Sequence, residues 1–236
     1  MVKKIIILAS GKGTRMENIT DGNSKEMLIF NGKTMISLAI EEALSAGFSE
    51  IGIVTNKDKT DLNNFLLEEK RKGLPITLII EEKQVNLITS IQFAEDFISG
   101  ENFGMIFPDM LILGKDSGMS QLISAFKEIN KPLIGLIKPE DHLGKTWYFE
   151  GEKISDNLAK VTGIVRENSS GFRFFPRYIL PGNSISIIKS LNKTDSEVPL
   201  LEYLMKKEGL YGVFLKGDPI DVGIPLGYIK AKNILK

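Results

Sequence analysis

Over residues 1–107 short apolar runs alternate with stretches of helical spacing, and this alternation constrains the fold more than any other feature of the chain. Ile5-Ile6-Ile7-Leu8 reads as a fully buried strand delivered into the flexible segment Ala9-Ser10-Gly11. Met35, Leu38, Ala39, Glu42 and Ala43 then recur at helical spacing as far as Ala46, with Gly47 as a stop signal. Strands follow at Ile51–Val54, Ile76–Ile80 and Gly104–Phe107, separated by helical patterns over Asp61–Lys72, closed by Gly73, and over Leu87–Ile98. Strands separated by helices in this way imply βαβ units and a largely parallel sheet.

After Asp109 the pattern changes. Leu133–Ile137, Trp147–Glu150 and Val161–Val165 read as successive strands, with Gly151-Glu152-Lys153 as a hairpin candidate, so an antiparallel or mixed section is expected. Helical spacing returns over Val198–Lys207, followed by a strand at Tyr211–Leu215 and a terminal helix from Pro225 to Ile234, where proline in the first turn is tolerated. No linker, composition shift or internal repeat interrupts the 236 residues, so a single α/β domain over 1–236 is expected.

Charge and composition narrow the chemistry. Lys and Arg number 30 against 30 Asp and Glu, which leaves no excess of positive charge for sequence-independent binding to nucleic acid. The chain has no cysteine and a single histidine, His142, placed in a polar turn and read as a surface residue. Disulfides, thiolate zinc sites, cysteine nucleophiles and histidine-rich metal sites are thereby excluded, and any metal must be a hard ion held by oxygen. The apolar run after Lys4 is far shorter than the ~20 residues of a spanning helix, and no small-residue cleavage site follows it, so no membrane association and a cytoplasmic location are expected.

Gly11-Lys12-Gly13-Thr14-Arg15 follows the first strand directly. Two glycines let backbone N–H groups approach phosphate oxygens, and Lys12 and Arg15 add matching charge, an arrangement suited to a triphosphate. Its spacing fits neither the dinucleotide fingerprint nor the P-loop, and a plain glycine turn with solvated cations reads equally well. Asp109, after the apolar strand, stands where open α/β sheets bind ligands, although a strand-end Asp also serves as a turn or helix cap. Paired with Asp221 it acquires a second reading, because two carboxylates brought from distant strands can hold Mg²⁺.

The run Leu8 to Met16 together with Lys25-Glu26-Met27 resembles the G-x-G-T-R…P-K-x-M signature of the sugar-1-phosphate nucleotidyltransferases. The resemblance continues through Gly32-Lys33-Thr34-Met35, Ile40-Glu41-Glu42-Ala43 and Ala46 to Thr55, as in the UTP–glucose-1-phosphate uridylyltransferase branch. It includes Phe107-Pro108-Asp109 and the segment Ile220-Asp221-Val222-Gly223 to Leu226-Gly227-Tyr228 and Ala231. It implies a Rossmann-like α/β fold with a mixed, mostly parallel sheet flanked by helices, residues 1–130 serving mainly the nucleotide and 131–236 mainly the sugar phosphate. The implied partners are a nucleoside triphosphate and a sugar 1-phosphate, with UTP and glucose 1-phosphate the first pair. By the same resemblance Arg15 binds the β- and γ-phosphates, Lys25 contacts the reacting phosphates, Ala9, Gly11, Lys12, Gly13 and Thr14 line the nucleotide, and Asp109 with Asp221 holds Mg²⁺.

Three segments depart from the pattern. The E-K-P stretch whose lysine grips the sugar phosphate is absent from Gly163-Ile164-Val165-Arg166-Glu167-Asn168, which leaves Lys160 or Arg166 as substitutes or as ordinary surface charges. The glycine-rich segment over the nucleoside is Asn86-Leu87-Ile88-Thr89-Ser90 here, and a small turn residue becomes Trp147, read as packing rather than as a stacking platform. Glu197 and Glu202 either reach a sugar hydroxyl or favour a helix dipole. Base choice stays open between uridylyl, thymidylyl and cytidylyl transfer, as does a non-catalytic nucleotide-sugar-binding homologue, and the sequence does not decide between a monomer and a homo-oligomer.

Overall fold

The structure, a computed structural model, describes residues 1–83, 85–138, 147–165, 171–191 and 195–235. In its first part β1 (Lys4–Leu8) leads through a 3₁₀ turn at Thr14–Met16, the short α1 (Glu17–Thr20) and a second 3₁₀ turn at Lys25–Met27 into the small hairpin β2 (Ile29–Phe30) and β3 (Lys33–Thr34). There follow α2 (Met35–Ser45), β4 (Glu50–Asn56), α3 (Thr60–Arg71), β5 (Ile76–Glu81), α4 (Leu87–Gln92), α5 (Glu95–Ile98) and β6 (Phe103–Ile106). β5, β4, β1 and β6 lie side by side and parallel, as the alternation requires. Thr34 caps α2 by accepting from the Ser37 N–H at 3.2 Å, and Gly47 closes the helix at φ +89°.

The second part comprises β7 (Met110–Leu113), α6 (Gly118–Ile129), β8 (Leu133–Ile137), β9 (Tyr148–Ser155), β10 (Leu158–Val165), β11 (Phe172–Leu180), α7 (Ser184–Ser190), α8 (Val198–Lys207), β12 (Tyr211–Phe214), β13 (Asp218–Asp221) and α9 (Pro225–Ile234). β11 runs antiparallel to both β6 and β8, and β12, β10 and β9 complete one sheet in the order β5-β4-β1-β6-β11-β8-β12-β10-β9. β9 also pairs with the start of β11, so β11, β8, β12, β10 and β9 close a circuit of pairings. β7 and β13 form a separate antiparallel ribbon.

Alternation along β1 divides the core. Ile5 and Ile7 join the cluster beneath α2, α3 and α6, whereas Ile6 faces Ile88, Ile98, Ile188 and Leu204 on the helices of the opposite side. A third, small core of Phe30, Met35, Leu111, Ile220, Val222 and Ala231 ties α9 and the β7–β13 ribbon to the rest.

Two expectations need correction. The helix expected over Leu87–Ile98 is broken at Phe93-Ala94, and the second piece lays the Phe97 ring against Gly52, whose added Cβ would stand 2.8 Å from that ring. The hairpin does not turn at Gly151-Glu152-Lys153, through which β9 runs unbroken, but at Asp156-Asn157. Gly151 marks a close cross-strand approach instead, since a Cβ there would meet the Lys160 carbonyl oxygen at 2.5 Å.

Candidate active site

At the carboxyl ends of the parallel strands the chain makes no regular element between Leu8 and Thr14, and the loop Ala9 to Gly13 lies along that edge. The Ala9 N–H donates to the Val54 carbonyl of β4 at 2.8 Å, which anchors the start of the loop. Gly13 adopts φ +72°, a conformation that glycine accepts without strain, and its Cα face lies against the Lys25 stem, 3.3 Å from where a Cβ would be. Met16, fully buried, pins the far end. Gly11, Lys12 and Thr14 are exposed along the loop, and Arg15 projects from the 3₁₀ turn with 60% of its side chain accessible.

Asp109 lies in the turn between β6 and β7, and Asp221 ends β13. The ribbon brings them together: Asp221 pairs with Met110, and the Val222 N–H donates to the Asp109 carbonyl at 2.8 Å. A Cβ on Gly223 would stand 2.7 Å from Asp109 Oδ2 and 3.1 Å from Asp221 Oδ1, so both carboxylate oxygens border one small space that only glycine leaves open. The Gly223 N–H donates to Asp221 Oδ1 at 2.9 Å. Lys25 Nζ donates to Asp109 Oδ2, and Arg15 Nη1 stands 3.5 Å from Asp221 Oδ2.

The two carboxyls titrate in opposite directions. Burial pushes Asp109 up, but the charge and hydrogen bond of Lys25, with the charge of Arg15, hold it below the ordinary range. Asp221 is raised, by burial first and by the Asp109 charge second, with Arg15 opposing. Burial lowers the Lys25 ammonium, yet Asp109 and Glu26 more than offset this and leave it raised. A cradle of two largely enclosed, oxygen-only donors with a like-charge conflict suits a hard divalent cation such as Mg²⁺, which completes its shell with waters and phosphate oxygens.

Two residues of this edge are not legible as motifs. Lys59, at the start of α3, donates to the Ala9 carbonyl at 2.7 Å and to Glu26 Oε2 at 2.7 Å, so it ties the start of the glycine loop to the Lys25–Met27 turn. Burial lowers the Lys59 ammonium and raises the fully buried Glu26 carboxyl. The available signal was position alone, because Lys59 follows β4 at the same sheet edge that receives Ala9.

Two of the sugar-phosphate candidates, Lys160 and Glu197, fall within the described residues. Lys160 is exposed near the start of β10, opposite Tyr211, which is itself paired with Leu133 at the amino end of β8. It stands five residues, about 17 Å of strand, from Val165 at the other end of β10. Arg166 lies outside the described residues, as does His142. Glu197, buried, accepts from the Tyr178 hydroxyl at 3.0 Å, and burial raises its carboxyl. Trp147 packs half-buried against the core beside β11, and Asn86 caps α4, accepting from the Thr89 N–H at 2.9 Å.

Comparison with known proteins gives the family and the fold. The family described as Nucleotidyl transferase matches residues 4–148. The UTP–glucose-1-phosphate uridylyltransferase of Pseudomonas aeruginosa is 30% identical over 266 residues, spanning 99% of this chain and 95% of its own. That of Mycoplasma genitalium is 26% identical, spanning 98% and 90%. Among solved structures, UDP-glucose pyrophosphorylase complexed with UDP-glucose superposes with a TM-score of 0.88 at 24% identity, covering 99% of this chain and 98% of that one. The apo UDP-glucose pyrophosphorylase gives a TM-score of 0.87 at 25% identity with the same coverage.

Proposed function

This chain belongs to the nucleotidyl transferase family, and from that premise we propose that it joins UTP to glucose 1-phosphate in a Mg²⁺-dependent reaction that yields UDP-glucose and pyrophosphate. Nucleotidyl transfer to a sugar 1-phosphate is the activity for which its relatives are named, and UTP, glucose 1-phosphate and Mg²⁺ are the substrates and ion proposed here. The observation that carries it is the convergence of Asp109 and Asp221 on the space in front of Gly223, each beside one cation, Lys25 or Arg15, at the edge where the glycine loop ends β1.

In this reading a phosphate oxygen of the sugar 1-phosphate attacks the α-phosphorus of the triphosphate. The bond from that phosphorus to the bridging oxygen of the β-phosphate breaks, and pyrophosphate leaves with the electron pair. Lys25, largely enclosed between the loop and Asp109, neutralises charge at the reacting phosphate, and the exposed Arg15 takes the β- and γ-phosphates in a bidentate contact. Backbone N–H groups of residues 11–13 approach the phosphates, with Lys12 and Thr14 beside them. Asp109 and Asp221 would hold Mg²⁺, which when bound supplies charge neutralisation on the phosphate oxygens. No residue needs to form a covalent intermediate, and positioning does most of the work.

The sugar phosphate needs a cation that Lys160, near the start of β10 and level with the amino end of β8, is poorly placed to supply, so Arg166 is the candidate for that role. A screen of pyrophosphate release over UTP, dTTP, CTP and GTP with a panel of sugar 1-phosphates and Mg²⁺ tests the reading. Highest kcat/KM for UTP with glucose 1-phosphate is expected. Release with another pair alone would replace the substrates, and none with any pair would remove the catalytic reading.

A further inference from the structure

Arg177 is 1% exposed and belongs to none of the motifs above. It sits on β11 at a β-bulge, where the register against β8 shifts between Phe175 and Tyr178 around Pro176 and Arg177. A bulge re-aims the side chain that it carries. Here the guanidinium passes through the sheet edge to the turn between β6 and β7, and all five of its donors find acceptors. Nε donates to Glu42 Oε1 at 2.8 Å and Nη2 to Glu42 Oε2 at 2.7 Å, a bidentate pair. Nη1 donates to the Phe107 carbonyl at 3.3 Å and to the Pro176 carbonyl at 3.1 Å, and Nη2 to the Met110 carbonyl at 2.6 Å. Phe107 and Met110 are the two ends of the turn that carries Asp109.

Glu42 is fixed in turn. Its Oε1 also accepts from the Met119 N–H at 3.0 Å, in the first turn of α6, and a Cβ on Gly118 would stand 3.1 Å from that oxygen. The chain of contacts therefore runs from α2 and α6 through one guanidinium to both carbonyls that bracket Asp109. A buried ion pair contributes little to stability when well-packed apolar groups could replace it, so stability alone does not account for an arginine with every donor committed.

We propose that Arg177, oriented by Glu42, is a positioning residue that fixes the turn between β6 and β7 and with it the direction in which Asp109 presents its carboxylate to a nucleotide-bound divalent cation. The inference deepens the proposed function and rests on Asp109 serving as a metal ligand. Lysine cannot reproduce the planar fork, and Arg177→Lys keeps the charge while giving up at least one carbonyl anchor. The double variant Arg177→Met/Glu42→Leu replaces the pair by apolar groups, which offers the fold a way to regain stability without regaining the anchors.

The test compares the full chain with Arg177→Lys and Arg177→Met/Glu42→Leu by two readouts. The first, amide hydrogen exchange without metal, is expected to accelerate by about tenfold or more at Met110 and Val222 while Ile5 to Ile7 of β1 keep their protection. The second is the affinity for Mn²⁺ in the presence of saturating UTP, read from water-proton relaxation, which is expected to fall by about 10- to 100-fold, the usual range for lost partners of metal ligands. Exchange that rises uniformly across the sheet, or stays unchanged at Met110 and Val222 in both variants, overturns the proposal and leaves Arg177 a structural residue. Should the unmodified chain bind no Mn²⁺ with UTP, the proposed function fails instead, and the exchange readout alone decides whether Arg177 holds the turn.

Discussion

Asp109 and Asp221 border one small space, so Asp→Asn at either removes a carboxylate charge there while keeping the side chain's shape. Asp109→Asn and Asp221→Asn are each expected to reduce Mg²⁺-dependent pyrophosphate release by at least ~10²-fold, about 2.7 kcal/mol of transition-state stabilisation. Near-normal turnover in either purified variant would remove the metal assignment. Without metal the sign of the pH effect follows from the raised Asp221 carboxyl, which burial and then the Asp109 charge hold above its ordinary range. The folded chain keeps that proton longer than the unfolded chain, so this group makes stability fall as pH rises from the ordinary aspartate range through the raised value. Asp221→Asn should flatten that part of the profile in denaturant midpoints measured in chelator, and parallel curves for the two proteins would contradict it. Arg15→Ala is expected to weaken UTP binding and slow turnover, with Arg15→Lys recovering only part of the loss, whereas Arg71→Ala at the exposed end of α3 does neither. Equal effects at positions 15 and 71, by calorimetric titration with UTP, would sink the phosphate-loop reading.

The position of Asp221 depends on how α9 meets β13. A Cβ on Gly227 would stand 1.7 Å from the Asp221 carbonyl oxygen, a backbone atom that cannot swing aside. Gly227→Ala must therefore part the helix from the ribbon, and a loss of about 1–3 kcal/mol is expected together with a higher half-saturating Mg²⁺. Unchanged unfolding and unchanged Mg²⁺ dependence would show that the junction relaxes freely. Elements with clean periodicity were legible in the chain itself: α8 and α9 begin and end where their spacing places them, and β8 does the same. β11 was not, because Arg173, Pro176 and Arg177 interrupt its apolar run and a proline ordinarily argues against an interior strand. The bulge at Pro176 resolves that conflict only in three dimensions. The same limit applies to the site: the glycine loop and Lys25 announce themselves by motif, but Lys59 and Glu26 matter through a buried contact that no local spacing encodes. The missing E-K-P lysine was visible as a departure, while the separation of Lys160 from the end of β10 needed the strand register.

One sheet runs through both parts of the molecule, since β6 pairs with β11 and β11 with β8, so residues on either side of position 130 share a core rather than meet at a boundary. Opening free energies from hydrogen exchange are accordingly expected to agree for Ile7 in β1 and Leu136 in β8, and two well-separated plateaus would show that the parts unfold independently. Long-range assembly also sets a schedule. Asp221 follows Asp109 by 112 residues, which at ordinary rates of synthesis is an interval of roughly 6–22 s. Until it ends the chain has only one of the two carboxylates, that of Asp109, whose partner in the folded protein is Lys25, and the ribbon that carries the second cannot form. A chain stopped short of β13 thus lacks half of the cradle, however much of its sheet has formed.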